Sequence, residues 1–141
     1  MRAEVVVVAA ILCACAAEAV NAQSGGASVW DGVYTAAQAE RGASTYANHC
    51  TECHGAGLDG TGEAPALSGP EFLSHYDGRP VGALFDRTRK TMPNDAPGSL
   101  KRNDYSDVIA FMLKFNGFPA GEKELDYRSE YLQGIEFHAT K

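Results

Sequence analysis

Two cysteines and a histidine compressed into Cys50-Thr51-Glu52-Cys53-His54 constrain this chain more than any other stretch. The spacing C-x-x-C-H is that of a covalent attachment site for a c-type haem. Two thiols about one helical turn apart each bond one vinyl group of a single porphyrin, and the adjacent imidazole meets the iron. With four Cys and four His in 141 residues, chance alone would produce the pattern about 0.003 times. A zinc site would need a second ligand pair, and the sequence supplies none. A thioredoxin-like redox pair would open a helix inside a βαβ unit, whereas the residues before Cys50 read as helix and nothing after it reads as strand. One covalent haem c is therefore the expected cofactor.

The other two cysteines lie in a different kind of sequence. After Met1-Arg2-Ala3-Glu4, the run from Val5 to Ala17 is nearly unbroken apolar chain, too short for a membrane span, and Val20-Asn21-Ala22 has the small-x-small form of a signal-peptidase site. Residues 1–22 are predicted to be a signal peptide cleaved after Ala22, with a periplasmic product. Leu12-Cys13-Ala14-Cys15 also resembles a lipobox loosely, and in that alternative Cys15 carries a lipid that anchors the protein on the periplasmic side of a membrane. Either way Cys13 and Cys15 are unrelated to Cys50 and Cys53, so a four-cysteine disulfide framework is not expected. Removing Arg2, Glu4 and Glu18 from a net charge of −6 leaves about −5. That balance argues against nucleic acid and suits a redox protein partner with a basic patch.

The polar residues 23–33 read as a flexible lead-in, with Trp30 and Tyr34 able to pack on the folded body. A helix then starts at Thr35, whose spacing to Gln38 makes a capping box, and runs from Ala36 to Asn48 to deliver the haem motif at its end. Gly42 in mid-helix costs about 1 kcal/mol relative to Ala, which points to a closely crossing neighbour. The last long helix, from about Asn103 to Asn116, supplies one: Tyr105, Val108, Ile109, Met112 and Leu113 make a broad apolar face, and Gly117 and Pro119 stop it. Two shorter helices are expected over Pro70 to Tyr76 and Pro80 to Lys90, each with proline in its first turn. No alternation of period two lasts long enough for a sheet. The fold class is thus all-α, three to five helices around one haem, with the N- and C-terminal helices crossing. The domain is placed at 34–120 and a C-terminal extension at 121–141, with a turn of helix near Ser129 to Leu132 and an extended Gly134 to Phe137.

His54 provides one axial ligand and the second decides the chemistry. Met92, in the loop Thr91-Met92-Pro93, is the expected partner, because a flexible thioether there can reach the iron. Met112 belongs to the apolar stripe of the last helix, His49 is tied to the same end of the haem as Cys50, and His138 sits in the tail. His75 is the rival, since bis-His ligation would lower the potential. The other nitrogen of His54 should meet a carbonyl, for which Pro65 is the candidate, with Leu67 packing on the porphyrin. Leu67, Phe72, Leu73, Leu84, Phe85, Val108 and Met112 are the expected wall of the haem site. Arg79, Arg87 and Arg89 are available to the propionates, although three arginines so close together are by default a solvated face.

These residues together carry a resemblance. Gly42-x-x-x-Tyr46, Cys50-x-x-Cys53-His54, Pro65-x-Leu67, Met92-Pro93 and the closing helix resemble a class I cytochrome c, a small monohaem electron carrier, over roughly residues 34 to 117. The resemblance implies that the first and last helices cross at Gly42 and Tyr46, that His54 and Met92 hold the iron, and that the Pro65 carbonyl accepts from His54. It also implies export, since c-type haem is attached outside the cytoplasm. Trp30-Asp31-Gly32-Val33-Tyr34 and Asn116 to Gly121 are similar to the cytochrome subunits or domains that accompany bacterial quinoprotein (PQQ) dehydrogenases, which implies such an enzyme as electron donor and an oxidase or another cytochrome as acceptor. The expected function is one-electron transfer in a respiratory chain, with no catalytic residue. A haem enzyme or gas sensor with an open sixth position is the alternative, and Met92 separates the two.

Overall fold

The structure, a computed structural model, describes residues 26–141. The signal peptide, its cleavage after Ala22 and the lipid anchor at Cys15 lie outside the described residues. Helix α1 (Ala36–His49) begins where Thr35 Oγ1 accepts from the Gln38 amide at 3.1 Å, satisfying one of the free donors of the first turn. The expected capping box is half present. Gln38 does not reach back to the cap; its side chain is buried and pairs with the backbone of Leu125, donating to the carbonyl at 2.9 Å and accepting from the amide at 2.7 Å.

Helix α5 (Arg102–Phe115) crosses α1 at Gly42. A Cβ on Gly42 would overlap the carbonyl oxygen of Asp107, so the approach of the two backbones excludes any side chain. One turn on, the Tyr46 and Phe111 rings pack at 5.3 Å between centroids. Arg41 Nε donates to Asp107 at 2.8 Å and its Nη2 to Glu124 at 2.9 Å, fastening the same crossing to the segment after α5. Lys114 pairs with Glu40 farther along. At its end α5 stops on Gly117, at φ +86°, with the Phe118 amide returning to the Leu113 carbonyl.

Helix α2 (Thr51–His54) is the turn carrying the haem motif, and α3 (Gly69–Tyr76) and α4 (Val81–Thr91) follow it, with α6 (Ser129–Leu132) near the end of the chain. Six α-helical segments are therefore described, one more than the upper end of the expected range, because α2 and α6 are separate single turns. None is long and apolar enough to cross a membrane.

A small sheet departs from the all-α expectation. β1 (Ala27–Ser28), β2 (Arg79–Pro80) and β3 (Ile135–Phe137) are ordered β1-β3-β2, with Ala27 opposite Ile135 in parallel and Arg79 opposite Phe137 in antiparallel pairing. Strands of two or three residues are too short to show alternation, which is why the sequence does not reveal them. They also tie both flanking segments to the body. The lead-in is packed from β1 onward: Val29 is fully buried in a 3-10 turn, and the Trp30 indole donates to the His138 carbonyl at 3.0 Å. Leu125, Leu132 and Phe137 of the extension are buried in the same core as α1, α4 and α5. A domain cut at 34 and 120 would divide one hydrophobic core.

Candidate functional site

The Cys50 amide returns to the Tyr46 carbonyl at 2.9 Å as the last bond of α1, and α2 then turns His54 inward until the residue is only 6 % exposed. Gly55 leaves α2 at φ +76°, a conformation that favours glycine. The chain beyond folds back on the motif: the Gly60 amide meets the His54 carbonyl at 2.9 Å, Thr61 Oγ1 donates to the Cys53 carbonyl, and the Leu67 amide meets the Leu58 carbonyl at 2.7 Å. These bonds bring Pro65 against the imidazole, with its carbonyl oxygen 2.9 Å from His54 Nδ1. A carbonyl only accepts, so Nδ1 is the donor, and in the neutral ring that tautomer leaves the Nε2 lone pair to an iron.

Tyr46 supports the turn from beneath. Its hydroxyl donates to the Gly55 carbonyl at 2.7 Å, and burial, reinforced by Cys50 and Asp59 nearby, pushes its ionisation up to about 12. A pKa raised in the folded protein means that the phenol's contribution is complete below its ordinary value near 10 and is lost as pH rises through about 12. Tyr46→Phe leaves the Gly55 carbonyl with the Leu58 amide alone and is expected to cost about 1 kcal/mol at neutral pH. Urea titration should show the gap between the two proteins narrowing above pH 10; a constant gap would mean that the phenol is not held neutral by the fold.

Cys50, Cys53, His54, Met92, Pro65 and Leu67 all line one cleft of about 940 Å³. Leu84, Val108 and Met112 add apolar wall, so four of the seven residues expected around a haem line this cleft. Phe72, Leu73 and Phe85 are not among the lining residues. Phe85 is fully buried in the core, and Phe72 packs against Tyr76 and Phe137. Among the lining residues that the sequence reading missed are the polar Tyr76, Thr88 and Thr91. Arg87 lines the cleft, while Arg79 lies in β2 and Arg89 is not a lining residue. The helical spacing of Leu84, Thr88 and Thr91 was the available signal, obscured because threonine breaks an apolar stripe.

Met92 sits at the C-cap of α4. Its amide meets the Thr88 carbonyl at 2.8 Å, and its own carbonyl accepts from the buried Tyr105 hydroxyl at 2.7 Å, so α5 holds the methionine's backbone in place. The rivals fare differently. Met112 lines the cleft from within α5 and His49 from the end of α1. His75 is exposed on α3 with its ring edge on Tyr76, and His138 pairs with Glu136 at 3.0 Å.

The donor set fits a covalently held haem. Cys50 and Cys53 are free thiols, the His54 imidazole has Nδ1 engaged by a carbonyl, and a thioether lies on the same cleft. Burial first, and then the charge of Cys53, pushes the Cys50 thiol up to about 11, opposite to the lowered value of a redox-exchange cysteine. No set of three or more His, Cys, Asp or Glu side chains is gathered as a metal site among the described residues.

Residues 37–112, more than half of the chain, match the family described as cytochrome c oxidase, cbb3-type, subunit III. Every residue of the expected site falls within that segment. No curated protein and no solved structure gives a match.

Proposed function

The chain belongs to the family described as cytochrome c oxidase, cbb3-type, subunit III, a cytochrome c domain whose role is electron transfer on haem c, and from this we propose that it is an exported, periplasmic one-electron carrier with a single haem bonded to Cys50 and Cys53 and ligated by His54 and Met92. When bound, the haem iron supplies the Fe(III)/Fe(II) couple. The chain's residues do the rest. The thiols fix the ring to α1 and α2, the Pro65 carbonyl orients His54 and raises its basicity, and the apolar wall limits water at the metal. The single observation that carries the ligand assignment is that Cys50, Cys53, His54 and Met92 line one cleft.

The acceptor is a terminal oxidase or another cytochrome, a reading supported by the oxidase subunit in the family description. The donor is a dehydrogenase, of the quinoprotein class if the similarity around Trp30 and Asn116 to Gly121 extends to partners. An acidic surface favours basic docking faces on both. Redox titration of the exported protein with optical detection tests the reading. The expected result is a protein heavier by one haem, with one single-electron wave and a weak far-red band from sulfur on ferric iron. A mass without the macrocycle would overturn the whole reading. Immediate carbon monoxide uptake by the reduced protein would instead favour an enzyme or gas sensor with an open sixth site.

A further inference from the structure

Residues 121–141 lie outside the matched segment, and the carrier reading gives them no task. Besides pairing with β1 and with the residues around Trp30 and Asp77, they reach two of the long helices. Toward α1, the Gly121 amide meets the Tyr34 carbonyl at 2.7 Å just before the helix cap, Glu124 pairs with Arg41, and the Leu125 backbone exchanges two hydrogen bonds with Gln38. Toward α4, Ser129 Oγ donates to Asp86 Oδ1 at 2.7 Å, and β3 pairs with β2 at the residues that lead directly into the helix. A Cβ on Gly82 would lie 2.5 Å from the side-chain Nε2 of Gln133 and 3.0 Å from its backbone nitrogen, so the residue that ends α6 packs directly on α4. Leu132 is fully buried beneath this contact.

Helix α4 therefore has two occupied faces. Gly82 and Asp86 meet the tail, while Leu84, Arg87, Thr88 and Thr91 line the cleft and Met92 ends the helix. Helix α1 ends at Cys50. The tail joins the element that carries the porphyrin attachment to the element that carries the methionine.

We propose that residues 121–141 are a tie across α1 and α4, with Ser129 and Leu132 as positioning residues that hold Met92 on the iron. The inference rests on the reading of Met92 as sixth ligand. Helices packed only through apolar contacts can slide by small amounts, whereas a directed hydrogen bond and a backbone ladder fix register and separation. Loosening the tail should let α4 drift from the cleft, weakening the hold on the sixth ligand while the two thioether bonds keep the haem in place.

The test uses the full holoprotein with Ser129→Ala, Leu132→Ala and, as a stability control on α5 away from the tail, Ile109→Val. Each ferric protein is titrated with imidazole, following loss of the far-red sulfur band, and each reduced protein is mixed with carbon monoxide. For Ser129→Ala, imidazole should displace the native ligand about tenfold more readily, the low end of what one lost hydrogen bond to a charged group is worth, and more so for Leu132→Ala. Ile109→Val should stay within about twofold of the parent while its melting temperature falls. Unchanged titrations in Ser129→Ala would overturn the tie, as would displacement that simply follows melting temperature in all three variants. If Leu132→Ala fails to fold, Ser129→Ala alone decides. A parent protein without the far-red band would instead sink the Met92 ligation, a different failure from a parent that has the band and variants that keep it.

Discussion

Met92→Ala is expected to leave the protein coloured and covalently loaded while converting its iron from low spin to high spin. The argument separates backbone from side chain. The three hydrogen bonds that hold Met92 in place use its amide, to Thr88, and its carbonyl, from Tyr105 and Gly98, and alanine retains all three. Met92 is only half buried, so truncation costs folding on the order of 1 kcal/mol, less than a fully buried methionine would. What disappears is the thioether. The far-red band should vanish, the reduced protein should take up carbon monoxide without prior loss of a ligand, and the potential should fall by on the order of 0.1 V, given that axial ligands span about 0.8 V. A variant with the parent's spectrum and potential would refute the assignment and turn attention to Met112, the other thioether on the cleft.

How far the sequence could anticipate this site depends on how local each piece is. The haem motif is legible because its chemistry is written in five consecutive residues, and α1 and α5 are legible because fourteen residues each carry helical periodicity. Gly42 announced a close neighbour by its cost within a helix, and the neighbour is α5. The wall of the cleft was harder. Helix α4 is apolar on two sides, and periodicity alone cannot say that Phe85 belongs to the core while Leu84 belongs to the cleft. Gln38 shows the same limit from the polar side. Its spacing from Thr35 fits a capping box, but the structure uses it eighty-seven residues away, where the Leu125 backbone would otherwise be buried without partners. Tyr105 is the counterpart within the site: an aromatic on a core stripe whose hydroxyl fixes the backbone of Met92. Neither role has a local signature, because the partner in each case is a main-chain atom that any residue could supply.

Gly42→Ala is the second large effect, and its sign separates two opposing influences. In an exposed helix the change would stabilise by about 1 kcal/mol through the better propensity of alanine. Here the new methyl would overlap the Asp107 carbonyl oxygen and press on Phe111 Cβ, and a main-chain oxygen inside α5 cannot rotate out of the way. Separating the helices opens the packing around Tyr46 and Ile109, so a net loss of about 3 kcal/mol or more is expected, overpacking outweighing propensity. The loss should reach the iron too, because α5 carries Val108 and Met112 on the cleft wall and the Tyr105 hydroxyl that holds Met92. Urea titration of the ferric holoprotein, followed in parallel by far-UV circular dichroism and by the far-red band, should show both transitions at lower urea than in the parent, with the band lost first. A stabilised Gly42→Ala protein would mean that α1 and α5 do not meet backbone to backbone, and that the methionine owes its position to something other than this crossing.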